Sequence, residues 1–249
     1  MSRTARLAMF GVSIVGFAAL LAWGVGDLPP FGHYAGPYGD IIVKLAQPQR
    51  HMANAVTAIV FDYRGFDTMG EELLLFAAAS ALALLLRETR EDRVEDVREP
   101  VLSDAVRGAG LLASIVTLVV GLYVVAHAFI TPGGGFQGGV VLAASLVFLF
   151  LAIEYERYAK AAHSSIVEPV EAFGAGAYVA LGLIALASGL AFLENFMELG
   201  VFGRLSSGGS AILVNWASAL AVAGGFLVIF GEILQENMAA RREGRKQQP

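Results

Sequence analysis

Ionisable side chains inside long apolar runs are the first residues in this sequence to examine for chemistry, because a charge in hydrocarbon costs several kcal/mol and is kept where it has a use. Asp67 and Glu71 lie four residues apart in the run Asp62-Tyr63-Arg64-Gly65-Phe66-Asp67-Thr68-Met69-Gly70-Glu71-Glu72, at the head of an apolar stretch. On a helix they share a face. Two carboxylates on one face suit a cation or a shared proton. The same acids also complement the positive end of a helix dipole, with Asp67 or Thr68 as the cap, and residue types alone leave both readings open. His127 is the one His inside an apolar run. Its titration range suits a proton relay, and a neutral ring bonded to a freed backbone carbonyl is the other reading. Glu232, late in the last apolar run, is a candidate carboxylate at the mouth of an ion path, whereas Glu236 reads as solvated. Asn215 is uncharged and is expected to bond across helices. Glu154, Glu168 and Glu171, and on the opposite side Glu194 and Glu198, flank apolar runs and read as interfacial.

The elements that must position these groups are membrane helices. The chain has 249 residues, is 56% hydrophobic and 16% charged, and has a mean hydropathy of +0.64; that composition is of an integral membrane protein rather than a globular enzyme. Six spans are predicted, at residues 7–25, 68–86, 108–130, 138–153, 173–193 and 211–234, each near the length a bilayer requires. Residues 7–25 follow Arg3 and Arg6 as a signal peptide would, but the run is too long for a signal core and no small-x-small cleavage pattern follows Trp23, so it is read as a retained span. With the N-terminus inside, thirteen of the seventeen Lys and Arg fall on inner segments and only Lys44, Arg50, Arg64 and Arg204 on outer ones. Both termini are therefore expected in the cytoplasm. The fold class is all-α: a polytopic protein of the cell membrane, with about six transmembrane helices. Zero cysteines exclude disulfides and Cys-ligated metal. The four His are too scattered for a metal motif, and a net charge of −5 without a basic tract excludes nucleic acid. No nucleophile–base pair, cofactor motif or inverted repeat is present, so the chain is read as not itself an enzyme.

The third and fourth spans are joined by Thr131-Pro132-Gly133-Gly134-Gly135-Phe136-Gln137-Gly138-Gly139, five of whose nine residues are glycine. Irregular backbone near bilayer depth has to be buried in protein or line a polar cavity, since lipid satisfies no amide. The fourth span is short unless it starts within this segment. Gly134 with Gly138, and Gly135 with Gly139, are overlapping pairs that permit close helix approach, as are Ala217, Ala221 and Gly225 in the last span. A packed structural turn is the expectation, with phosphate binding poorly supported because no Lys-Ser/Thr follows.

Residues 26–65 read as a long outer loop opening with turn chemistry at Gly26, Pro29, Pro30, Gly32, Gly36 and Pro37. Within it, residues 51–61 read as a helix whose stripe of Met52, Val56, Ile59 and Val60 lies along the membrane or on a partner. The inner segment 87–104 carries both signs densely and reads as a solvated linker; it divides a two-span module, 1–100, from a four-span module, 101–249. Gly108-Ala109-Gly110 and Gly174-Ala175-Gly176 give a faint parallel echo between the third and fifth spans.

The segment from Thr131 through Gly139 to Val140-Val141 resembles the signature of the B subunit family (MnhB/MrpB) of multisubunit cation/proton antiporters. So does the end of the chain: Phe192-Leu193-Glu194-Asn195-Phe196, Ser207-Gly208-Gly209, Asn215, and Ala223-Gly224-Gly225. The earlier run Val60-Phe61-Asp62-Tyr63-Arg64-Gly65-Phe66-Asp67-Thr68-Met69-Gly70-Glu71 is similar to the tail of the large A subunit and to the small E subunit of membrane-bound hydrogenases. Together these resemblances cover roughly residues 52–237 and imply a fusion of an E-like two-span module with a B-like four-span module. They imply a subunit of an Mrp-type complex that exchanges Na+ for H+, with A-, C- and D-like and small membrane subunits as partners and Asp67 and Glu71 as the leading ion-path residues. The alternative they imply is the equivalent subunit of a complex I-related hydrogenase or other redox-driven ion pump. The family often has His-Gly-His before the proline; here His127-Ala128-Phe129 lacks the second His, which weakens a titrating role for the turn.

Overall fold

The structure, a computed structural model, describes residues 3–28, 32, 36–90, 103–153 and 155–246. The Pro29-Pro30 turn, the charged linker at 91–102 and Glu154 lie outside the described residues. The chain forms two compact units, Met1–Ile41 and Ile42–Pro249. The first carries α1 (Arg3–Gly26). Then come α2 (Pro37–Arg50), α3 (Ala55–Ala58), a π-helical turn (Ile59–Tyr63), α4 (Gly65–Arg90), α5 (Asp104–Ala126), α6 (Gly135–Ala152), α7 (Tyr155–Ala161), α8 (Ser164–Ala187) and α9 (Ala211–Lys246). Six of these stretches are long and apolar enough to cross a membrane, so the all-helical, multi-pass reading holds. α2 is not expected from the loop chemistry around it; Pro37 starts it, at the helix position where a missing N–H costs nothing.

The helices carrying the second, third and fifth spans start earlier than expected, at Gly65, Asp104 and Ser164, and three other boundaries shift for local reasons. α5 ends at Ala126, not 130, because residues 127–130 turn back on themselves. α6 begins at Gly135, so the second half of the glycine-rich segment is helical and the fourth span reaches 18 residues. α8 ends at Ala187, six residues early. Gly189 adopts φ +80, its N–H donates to the Leu186 carbonyl, and the Leu190 N–H donates to the Ala185 carbonyl. That is a Schellman stop, which the Ser188-Gly189 pair encodes.

In the second unit α9 is the central helix, packed against α4, α5, α6 and α8. Its span is 56% buried, against 17% to 33% for those four. Close approach comes from glycine. A Cβ on Gly139 would lie 2.8 Å from the Ala219 carbonyl oxygen of α9, and one on Gly110 would lie 3.0 Å from the Phe148 carbonyl oxygen of α6. Gly174 meets the Ala221 backbone. The Gly-Ala-Gly echo therefore uses its last glycine in α5 and its first in α8.

Candidate functional site

The break between α5 and α6 leaves the carbonyls of residues 128–133 without helical partners, and the segment before α4 supplies them. Asn54 Nδ2 donates to the Ala128 (2.9 Å) and Thr131 (3.0 Å) carbonyls, and Thr57 Oγ1 donates to Ala128 (2.8 Å) and more weakly to Gly133 (3.4 Å). The Ala53 N–H donates to the Phe129 carbonyl at 2.9 Å. Asn54 Oδ1 meanwhile caps α3 by accepting from the Val56 and Thr57 amides. The irregular backbone between these two spans is thus paired by protein. The residues expected to lie along the membrane or on a partner pack instead into this chain's own core: Met52 and Phe61 are buried with Ala128, Phe129, Tyr178 and Val214.

The glycines of the segment divide their work. Gly134 caps α6 with φ +155, and a Cβ there would meet only the flexible Gln137 side chain. Gly135 and Gly139, one turn apart, face α9: a Cβ on Gly135 would run into the Asn215 carbonyl oxygen and approach Ser218 Cβ to 2.8 Å. Gly138 faces the other way, onto Val125 of α5, and Gly133 lies against the Val124 carbonyl oxygen. Thr131 donates to the His127 carbonyl, Pro132 is exposed and Phe136 is half-buried. The tight helix contacts are therefore at Gly135, Gly138 and Gly139 rather than at Gly134. Asn215, fully buried, donates across to the Val125 carbonyl at 3.0 Å, the cross-helix bond expected of it.

A second knot holds the α8–α9 connection. Asn195 donates to the Gly208 carbonyl (2.8 Å) and to Asp62 (3.1 Å), and accepts from the Ser210 amide (2.9 Å). Asp62 pairs with Arg50 at 2.5 Å. Gly208, at φ +106, lies against Phe129 and Met52. The π-helical turn 59–63 thus bridges both irregular connections, and Thr68 Oγ1 fastens it to α4 through the Val60 carbonyl at 2.7 Å. One-turn π segments are often found beside functional sites.

The carboxylates fall differently from expectation. α4 begins at Gly65, so Asp67 and Thr68 are inside the helix and neither caps it. Asp67 and Glu71 share a face as spaced, and that face is exposed, with Asp67 paired to Arg64. His127 is the C-cap of α5, beyond its last helical residue; its ring stacks on Tyr123 at 4.0 Å and its Nδ1 is 3.3 Å from the Tyr123 carbonyl oxygen. Glu232 is buried near the far end of α9.

Two further carboxylates are buried: Glu72, 2% exposed, and Glu171, 3% exposed. Glu72 faces Ser218 of α9, yet neither its carboxylate oxygens nor the Ser218 hydroxyl completes a hydrogen bond. Tyr178 of α8, which donates to the Gly65 carbonyl at 2.9 Å, lies near the same carboxyl. Glu171 seats its backbone against Gly224, where a Cβ would lie 2.6 Å from Glu171 Cβ, and sets Oε1 over Gly225. The sequence carries a signal for both. Glu72 shares a face with Thr68 and Ala79, and Glu171 shares one with Gly174, Tyr178 and Gly182, while the large side chains Phe66, Leu73, Leu74 and Phe173 point outward. In lipid the small residues mark the packed face.

Residues 106–228 match the domain related to the MnhB subunit of Na+/H+ antiporter. The uncharacterized protein MJ1307 of Methanocaldococcus jannaschii is 30% identical over 193 residues, a match covering 72% of this chain and 73% of that protein. The chain belongs to the MJ1307 family and carries an MnhB-related domain. Among solved structures, a chain of the membrane-bound sulfane sulfur reductase (MBS), an archaeal respiratory membrane complex, is 29% identical with a TM-score of 0.68, over 94% of this chain and 99% of that one. A chain of the Mrp complex from Dietzia sp. DQ12-45-1b shares the fold, with 23% identity and a TM-score of 0.68 over 94% of this chain. The match spans only 26% of that Mrp chain, so there the six-span fold is part of a longer polypeptide. The MnhB-related domain contains α6 and α8 whole, nearly all of α5, and α9 to Val228; it thus holds the glycine-rich joint, Glu171 and Ser218, while Glu72 comes from the helix before it.

Proposed function

We propose that this MnhB-related chain is an integral subunit of a multisubunit Na+/H+ antiporter complex, with both termini in the cytoplasm and with A-, C- and D-like and small membrane subunits as neighbours. In this reading it is a fusion of an E-like module, 1–100, with a B-like module, 101–249, placed in the plasma membrane. It contributes helix packing and an ion path rather than an active site of its own. The observation that carries the reading is the likeness over 94% of the chain to a part of the Mrp complex, joined to the MnhB-related domain. The exposed Asp67–Glu71 face of α4 is where a neighbouring subunit would complete a cation path, with His127 and Glu232 nearer the two ends of the bundle. The test is Na+-dependent pH change in membrane vesicles. Glu71→Gln should abolish it with the complex assembled, and unchanged transport removes Glu71 from the path.

A second reading has its own support. The match to a chain of the sulfane sulfur reductase complex runs over 99% of that chain at 29% identity, which favours the same subunit in a redox-driven respiratory complex. Co-purification separates the two: iron–sulfur subunits among the partners select the redox reading, and antiporter subunits alone select the first.

A further inference from the structure

Ser218, Gly225 and Glu232 are seven residues apart along α9, so they ride one stripe with a drift of only about 20° per step. Each marks the level of a buried carboxyl. Glu72 of α4 faces Ser218, Glu171 of α8 sets Oε1 3.0 Å from a Cβ position on Gly225, and Glu232 belongs to α9 itself. Successive levels are separated by about 10 Å of helix rise. The titratable groups that bear on Glu72 are Glu71 and Tyr178, and the one that bears on Glu171 is Glu168. None of these is a cation that would pair with either carboxyl. Among the described residues, both oxygens of Glu72, Oε1 of Glu171 and the fully buried Ser218 hydroxyl complete no hydrogen bond. Glycine makes the room: Gly224 and Gly225 admit Glu171 against α9, and Gly135 leaves Ser218 its place beside α6. Carboxyls in this setting, inside a span and facing the bundle interior, mark proton routes in membrane proteins.

We infer that Glu72 and Glu171 are stations of a proton-transfer file that runs along α9 to Glu232, inside this chain and apart from the Asp67–Glu71 face. Each transfer moves one proton. The donor carboxyl loses its O–H and becomes a carboxylate, and the acceptor carboxylate gains it. A step of about 10 Å exceeds hydrogen-bond reach, so water carries the proton between stations. Ser218, able to donate and accept, orients that water at the Glu72 level. Leu75 of α4 shares the space over Gly225 with Glu171 Oε1, which sets an apolar side chain beside that station. The file rests on the ion-translocating function proposed above, and its ligand is the proton.

The experiment uses the intact complex in membrane vesicles with Glu72→Gln, Glu72→Asp, Glu171→Gln and the parent chain. Two readouts are taken: proton movement, and the infrared carbonyl band of protonated carboxyls on exchange into deuterated buffer. Either Gln variant, which keeps the shape and cannot carry the proton, is expected to slow proton movement by about a hundredfold or more, with normal assembly and with loss of one deuterium-sensitive carboxyl band. Glu72→Asp is expected to restore a large part of the rate. Parental rates in both Gln variants, or carboxyl bands that no Gln variant alters, overturn the file. If the parent complex moves no ions, the proposed function fails, and the infrared readout still decides whether Glu72 and Glu171 exchange protons. If a Gln variant does not assemble, the Asp variant decides: an assembled Glu72→Asp complex without a deuterium-sensitive carboxyl band also overturns it.

Discussion

Replacing Asn54 tests how the glycine-rich break tolerates its depth. Asn54→Ala removes the cap of α3, worth about 0.5–2 kcal/mol. It also leaves the Thr131 carbonyl without its donor, at about 1–3 kcal/mol for a buried unsatisfied group; Ala128 keeps Thr57. The two together come to about 1.5–5 kcal/mol, with non-additivity working against the upper end. Asn54→Asp divides the effect. It preserves the acceptor for the Val56 and Thr57 amides but turns a second oxygen toward the Ala128 and Thr131 carbonyls. Amide hydrogen exchange at residues 128–139 is the assay. A local loss of about 2 kcal/mol raises the opening equilibrium about thirtyfold, and Asn54→Asp should exceed Asn54→Ala there while protecting α3 better. Exchange at those amides unchanged in Asn54→Asp would refute the claim that this side chain pairs the broken backbone.

Other substitutions probe the remaining contacts. Gly135→Ala should lower the melting temperature and yield of the purified protein more than Gly176→Ala, because the first pushes on the Asn215 carbonyl and Ser218, at about 1–3 kcal/mol for overpacking, and a Cβ at the second meets nothing within 4 Å. Tyr178→Phe removes the bond to the Gly65 carbonyl; thermal unfolding should show a loss of about 1 kcal/mol, more if no water replaces the hydroxyl. Asn195→Ala should raise proteolysis of residues 193–210 more than it alters exchange at 128–139, since its bonds go to the α8–α9 connection and to Asp62 and none of them reaches that segment.

Span number, helical class and the glycine-rich joint were legible because lipid imposes a length and an apolar composition on any helix that crosses it, and six such runs stand out in this chain. The boundaries that moved did so at capping residues, Ser188-Gly189 and Gly134-Gly135, whose effect depends on which carbonyls they leave to be paired. Asn54 gave no sign of its role, since its acceptors lie more than seventy residues further along the chain.

Among the acids, spacing could say that Asp67 and Glu71 share a face but not which face of α4 turns inward. Packing turned Thr68, Glu72 and Ala79 toward α8 and α9 and left Asp67 and Glu71 outside. The sequence by itself therefore determined that helices cross a membrane and that small residues bring them close, because both follow from transfer and steric rules local to a segment. Only the tertiary structure decided which carboxyls are removed from lipid and solvent, because burial is a property of the helices that surround a residue, and here those are α4, α8 and α9 meeting over Ser218, Gly224 and Gly225.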